Sequence, residues 1–389
     1  MNPTDRIIAT TEGREIDRVP TMSILTDLHP SHQVLGFPKR SDLDLYGSRV
    51  IEWIMKRWAS SWIGRLIMTQ DIEKTVYLPL EAAIKLGFDG AWTVYAPTFS
   101  RFHNSQTIQD DWGNYNDLIF DDWGNGSYMY RGPAIKSPED YKQWPFFPDP
   151  DKVAKKTYKF YKKLMNRYDG KIAICGDCVS DMYDRIQLSL GFKKIAYYIR
   201  KKPDFIRDFI SRIEEFSIKT SMAMMDAGVK IIFKGDDFCF KTGPQMNPET
   251  FDKFWGPSYT RLCDAIHQRG GKFFLHSCGD NTQMFDYFIN WGIDGCHAFE
   301  NTSTVDIYKE KELHGEQLTI IGGVGVDYLL TRQSKPEEVV QKVKELIKKL
   351  APGGRFILAP VHSLPIVDMS KEKVMIEVAH KYGQYPIDL

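Results

Sequence analysis

No run in this 389-residue sequence approaches the roughly 20 apolar residues that cross a bilayer, and no segment has the basic-then-apolar layout of a secretory leader. A membrane-embedded or exported protein is therefore not expected; the expected location is the cytoplasm. Charge of one sign is lacking too. Lys plus Arg and Asp plus Glu stand at 51 each, so there is no general attraction to nucleic acid or to an anionic membrane. Cysteine is sparse: the six residues at 175, 178, 239, 263, 278 and 296 have no disulfide-framework spacing, which favours reduced thiols. The CxxC in "CGDC" (175–178) ends an apolar run with no second pair after it, a weak basis for a redox or zinc-knuckle role. No GxGxxG follows the first strand-like run, so a dinucleotide site lacks support.

What is present is an ordinary globular composition, 42% hydrophobic and 26% charged. Eight short apolar runs recur along it: "VPTMSIL" (19–25), "GAWTVY" (90–95), "KIAICG" (171–176), "VKIIFKG" (229–235), "KFFLHS" (272–277), "IDGCHAF" (293–299), "LTIIGGV" (318–324) and "RFILAP" (355–360). Helical stretches separate them. "PETFDKFWGPSYTRLCDAIHQRGG" carries helix-period apolar positions and a glycine stop, and "KPEEVVQKVKELIKKLAPGG" has proline at its start and glycine at its end. Eight alternations of strand and helix predict a parallel sheet closed into an α/β (β/α)8 TIM barrel, with a doubly wound open sheet as the alternative. The whole chain, 1–389, reads as one such domain.

Residues 100–150 break the rhythm. "DDWGN" occurs at 110–114 and again at 121–125, with "YNDLIF" between and "YMYRGP" after. Aromatics around Gly and Asn turns predict an aromatic-rich β-hairpin insertion after the second strand, either a lid or plain packing.

In such a barrel the active site lies at the C-terminal ends of the strands. The polar residues fall there: Asp177, then Asp236 and Asp237, His276 and Cys278, His297 and Glu300, and finally His362. A thiolate and imidazoles suit zinc, which in catalytic sites takes three protein ligands and keeps one position open. His276, Cys278 and His362 form the candidate metal set, although His-x-Cys alone is a weak signal and a lone Cys is usually a small hydrophobe. Asp236 or Asp237 could be a fourth ligand or could orient a histidine; helix capping or an ion pair is an equal reading of both. Trp92, Tyr95 and His297 are candidates for contact with a flat apolar substrate. Phe99, Phe102, Trp112, Tyr115 and Trp123 either share that role or pack the insertion.

"REIDRVP", "TGPQMNPETFDKFWGPSYTRLCDAIHQRGGKFFLHSCGD", "GIDGCHAFE", "IIGGVGVDYLL" and "APGGRFILAPVHSLP" together resemble the uroporphyrinogen decarboxylase superfamily, and more narrowly its cobamide-dependent methyltransferase branch. The resemblance is strong from about 229 to 385 and looser before. It implies a TIM barrel. Decarboxylases of the family follow "RVP" with an arginine-bearing stretch that holds substrate carboxylates, whereas "RVPTMSILTDLHP" has no arginine after Arg18. Methyltransferases of the branch carry His-x-Cys and a later Cys on zinc. Here His276 and Cys278 match the pair, and His362 stands about where that Cys is expected.

The resemblance implies a zinc-dependent methyltransferase that moves a methyl group from a small donor, such as a methoxylated aromatic, to the Co(I) corrinoid of a partner protein; Asp236, Asp237 and Glu300, at the strand ends, are the candidate catalytic residues beside it. Transfer from methylcorrinoid to a thiol or folate is the nearest alternative. A decarboxylase, with Arg101 and Arg131 as the rim cations, and a non-catalytic corrinoid- or tetrapyrrole-binding barrel follow. The cofactors expected are zinc and a corrinoid (cobalamin) brought by a corrinoid-binding protein, because "DLHPSH" has His32 where a cobalamin-binding motif needs glycine. A homodimer is compatible with this fold; nucleic acid and membrane are not expected partners.

Overall fold

The computed structural model describes residues 1–26, 28–36, 75–95, 100–102, 107–120, 126–179, 181–300, 302–363 and 367–389; the side chains of 100–102, 118–120 and 126–128 fall outside the description. Eight strands form one sheet in sequence order: β1 (Met22–Ser23), β2 (Gly90–Val94), β3 (Ala173–Asp177), β4 (Ile231–Gly235), β5 (Lys272–His276), β6 (Gly295–His297), β7 (Thr319–Val324) and β8 (Phe356–Pro360). Every neighbouring pair is parallel. A parallel bridge from Thr21 to Leu358, with the Leu358 amide donating to the Pro20 carbonyl at 3.0 Å, joins the last strand to the first. The chain is a (β/α)8 TIM barrel, and all eight apolar runs are its strands.

The strands are apolar throughout because they are covered on both faces. All six residues of β7 are buried. Alternate residues fill the lumen, among them Met22, Ala173, Cys175, Ile231, Phe233, Phe274, Ile321, Ile357 and Ala359. The residues between them pack against the helices. Ile7, on the helix Pro3–Thr11, plugs the N-terminal end of the lumen. Gly90 makes room for it, since a Cβ there would lie 2.6 Å from Ile7 Cδ1. Cys175 faces the lumen and Cys178 the helices, both fully enclosed, so the CxxC spacing does not bring its two thiols to a common surface.

The same end is tied by charge. Asp89, 2% exposed, accepts from Arg6 Nη1 at 2.6 Å, from both Nη atoms of Arg18 at 2.7 Å and from the Thr21 amide at 2.9 Å. Arg6 also pairs with Asp17 at 2.6 Å. The "DRVP" segment is thus a clamp under the barrel.

The stretch after "TGPQMN" forms two helices, Pro248–Phe254 and Gly256–His267, where one is expected. Pro257 lacks the N–H that would continue the first helix and its ring crowds the preceding turn, so the axis resets there. Between them Trp255 is fully buried and donates Nε1–H to the Met182 carbonyl at 3.2 Å. The second predicted helix spans Pro336–Leu350.

Between β2 and β3 the structure has a four-stranded antiparallel sheet of Ser100–Phe102, Thr107–Asp110, Asn114–Phe120 and Gly126–Pro133. The first "DDWGN" is the turn between its second and third strands: Asp110 Oδ1 accepts from the amides of Trp112 (2.9 Å) and Asn114 (2.8 Å). Gly113 has φ +94°, and a Cβ there would lie 2.7 Å from Ile135. Trp112, 2% exposed, anchors this sheet edge-on against Phe216 and beside Phe147. The second "DDWGN" lies outside the described residues. Among the described residues no helix is long and apolar enough to cross a membrane.

Candidate metal centre

β5 points Phe274 and His276 into the lumen, and β6 does the same with Gly295 and His297. The register pairs His276 with His297 directly, so two imidazoles meet at the C-terminal mouth. Beyond His276 the chain turns sharply. Gly279 sits at φ +84° with the space for a Cβ taken by the Phe240 carbonyl oxygen 2.5 Å away, a position that demands glycine. The turn is pinned by the Asp280 amide donating to Phe240 O (2.9 Å), by Ser277 Oγ donating to Asn281 Oδ1 (2.8 Å) and by the Cys278 amide donating to Asp237 Oδ1 (2.8 Å).

Cys278 Sγ is thereby held 3.1 Å from His276 Nε2 and 3.5 Å from His362 Nε2, the latter reaching in from beyond β8. The three ligand atoms lie within 4.8 Å of one another. Glu300 makes the fourth side: Oε1 meets His362 Nε2 and Oε2 accepts from the Gly279 amide at 3.1 Å. The hydrogen bond to His362 holds the Glu300 carboxyl below its usual range, and the same contact raises the His362 imidazole. Burial, then the nearby Asp237 and Glu300 carboxylates, push the Cys278 thiol up; burial lowers His276. Two imidazole nitrogens, a sulfur and a carboxylate converge here, a set of donors that would suit a borderline-soft ion such as zinc.

The remaining predicted residues divide. Asp237 touches the centre through the Cys278 amide, and its own amide donates to Asp184 Oδ2 at 2.8 Å. Trp92 reaches the mouth from β2, stacked on Phe233 at 4.8 Å, with its ring centroid 5.5 Å from that of His276. It lines a cavity of about 240 Å³ with Leu25, Thr26, Val76, Pro79 and Val94. The Thr26 amide donates to Ser363 Oγ at 3.1 Å, which ties this cavity to the loop that carries His362.

Three candidates belong elsewhere. Asp236 is fully buried and turned away from the rim. It accepts from the amides of Met182, Tyr183 and Asp184 at 2.7–2.8 Å and from Tyr259 Oη at 2.5 Å, so it caps the helix Tyr183–Leu190. Tyr95 lies between barrel and helices, stacked on Phe160 at 3.9 Å, because it follows β2 on the outward side. His297 has no surface for a substrate: it is fully buried, with Nδ1 2.6 Å from His276 Nδ1 and Nε2 2.9 Å from the Pro360 carbonyl.

Asp177 is buried at the end of β3, 3.8 Å from buried Lys234. Arg131 lies on the antiparallel sheet, bonded to Thr107 and Asp117. Asp27, Phe99, Trp123 and the side chains of Arg101 and Phe102 lie outside the described residues. Sequence reasoning missed Asp184, Tyr259 and Ser363, whose partners are remote in the chain; no local motif marks them.

A model of the family described as uroporphyrinogen decarboxylase (URO-D) matches residues 123–382, more than half of the chain. Among solved structures, a methyltransferase from Methanosarcina mazei is similar with TM-score 0.66 at 16% identity, over 98% of this chain and 99% of that one. A B12-independent methionine synthase from Shewanella sp. W3-18-1, in complex with selenomethionine, gives TM-score 0.50 at 11% identity over 82% and 87%. At these identities the likeness is one of fold. No curated protein matches the sequence.

Proposed function

The chain belongs to the uroporphyrinogen decarboxylase family, and within it we propose a zinc-dependent methyltransferase that passes a methyl group from a small donor to the Co(I) corrinoid of a partner protein. The observation that carries this reading is the convergence of His276 Nε2, Cys278 Sγ and His362 Nε2 within 4.8 Å at the barrel mouth. These three would hold the ion, with Glu300 in reach as a fourth donor that must release His362 Nε2 when metal enters. Bound zinc supplies a Lewis acid that keeps a sulfur ligand deprotonated or draws charge from the leaving atom of a methyl donor.

The chain's own residues supply the rest. Asp237 and Gly279 hold the Cys278 turn. Trp92, Leu25, Val76 and Pro79 offer an apolar wall and Thr26 a hydroxyl beside it, which suits a compact and largely neutral donor such as a methoxylated aromatic. The corrinoid partner would dock over the same mouth.

The test is to mix the protein with Co(I) cobalamin and a panel of methoxylated aromatics and simple methyl donors, following the Co(I) absorbance. Methylcobalamin formation by the wild type, lost in folded His276→Ala and Cys278→Ser variants, supports the reading. Equal turnover by all three proteins contradicts it, and activity on a carboxylated substrate in metal-free protein would favour a decarboxylase.

A further inference from the structure

We propose that His297 is a positioning residue that fixes the tautomer and aim of the metal ligand His276; the inference rests on the metal-centre reading above. The Pro360 carbonyl oxygen can only accept, so the 2.9 Å contact requires the proton on His297 Nε2. The His297 ring is fully buried, and no carboxylate touches it among the described residues, so a second proton would leave a bare charge in the lumen. Its Nδ1 is then a lone pair. Across the 2.6 Å contact the one proton available is that of His276 Nδ1. His276 is left with a lone pair on Nε2, the nitrogen that faces Cys278 Sγ at 3.1 Å.

The relay runs from the β8 backbone through β6 to β5, and each link sits on a barrel strand. Phe233 closes one side of His297 with an edge-on contact at 5.9 Å. The His276 ring therefore has a proton donor side and a ligand side set by the scaffold before any ion arrives.

Two variants separate the relay from packing. His297→Phe keeps a ring against Phe233 but removes the acceptor; His297→Asn keeps an acceptor near the place of Nδ1. Zinc affinity is read by competition with a chromophoric chelator, and the thiolate-to-cobalt absorption of Co2+-loaded protein reads ligand geometry. We expect roughly 10–100-fold weaker zinc binding in His297→Phe, with the cobalt band altered, and His297→Asn closer to wild type. His297→Phe within threefold of wild type would overturn the inference while leaving the metal centre standing.

A second measurement needs no variant. In metal-free wild-type protein with 15N-labelled histidine, the ring shifts should report His276 protonated at Nδ1 and His297 at Nε2. The opposite tautomer at His276 would overturn the relay. Wild-type protein that binds no zinc would sink the metal reading instead, and the nitrogen shifts would still decide the relay.

Discussion

Removing Asp89 should destabilise the barrel strongly and leave its mouth unchanged. The Asp89 carboxylate, 2% exposed, faces two guanidinium groups whose side chains are 7% and 15% exposed, and it also takes the Thr21 amide. In Asp89→Ala the Thr21 amide loses its carboxylate, Arg18 loses its anionic partner and Arg6 keeps Asp17 and the Met1 carbonyl. Breaking a buried pair from one side costs about 3–5 kcal/mol. For a chain of this length the unfolding entropy is on the order of 0.8 kcal/mol per degree, so the loss corresponds to a fall of about 4–6 °C in Tm. The assay is thermal unfolding followed by circular dichroism, beside zinc stoichiometry of the folded variant. A change under about 1 kcal/mol would refute the claim that this clamp holds β1 and β2 to the N-terminal segment. Zinc loss in a folded variant would refute the separation of the two ends.

Two further changes test other parts of the account. Glu372 is 3% exposed, its Oε2 has no hydrogen-bond partner among the described residues, and burial raises its carboxyl to about 7 from an ordinary 4.5. The unfolded chain therefore loses this proton first, so stability falls as pH rises from about 4.5 to 7 and the full penalty, about 3 kcal/mol, applies above that. Glu372→Gln should raise Tm at pH 8 and have little effect at pH 4; no difference at either pH would count against it. Gly279→Ala forces a side chain into the left-handed region, about 1–2 kcal/mol before the clash with Phe240 O is added. It should lower both Tm and zinc affinity, and wild-type values of both would show that the turn does not hold Cys278.

The barrel was legible because strands covered on both faces must be apolar for their whole length, and eight such runs separated by helices leave few architectures. The rim residues His276, Cys278, Glu300 and His362 were legible for the same reason: each lies at or just beyond a strand end. Parity was the neglected signal. In "GCHAF" Gly295 and His297 share a face, and counting from His276 across the paired strand would have put His297 inside the barrel rather than against a substrate. Tyr95 fails in a similar way, one residue beyond lumen-facing Val94. Asp236 and Asp237 are neighbours with opposite fates, one a helix cap and one a support of the Cys278 turn; that difference depends on Tyr259 and the 182–184 amides, which no local pattern announces.

The most direct test of the central claim is the zinc content of dialysed wild-type protein beside a Cys278→Ser variant, by elemental analysis. The account predicts about one zinc per chain in the wild type and a sharp loss in the folded variant. A correctly folded wild type that takes up no zinc when it is supplied would contradict it, and would return His276, Cys278 and His362 to the status of neighbours without a shared ion.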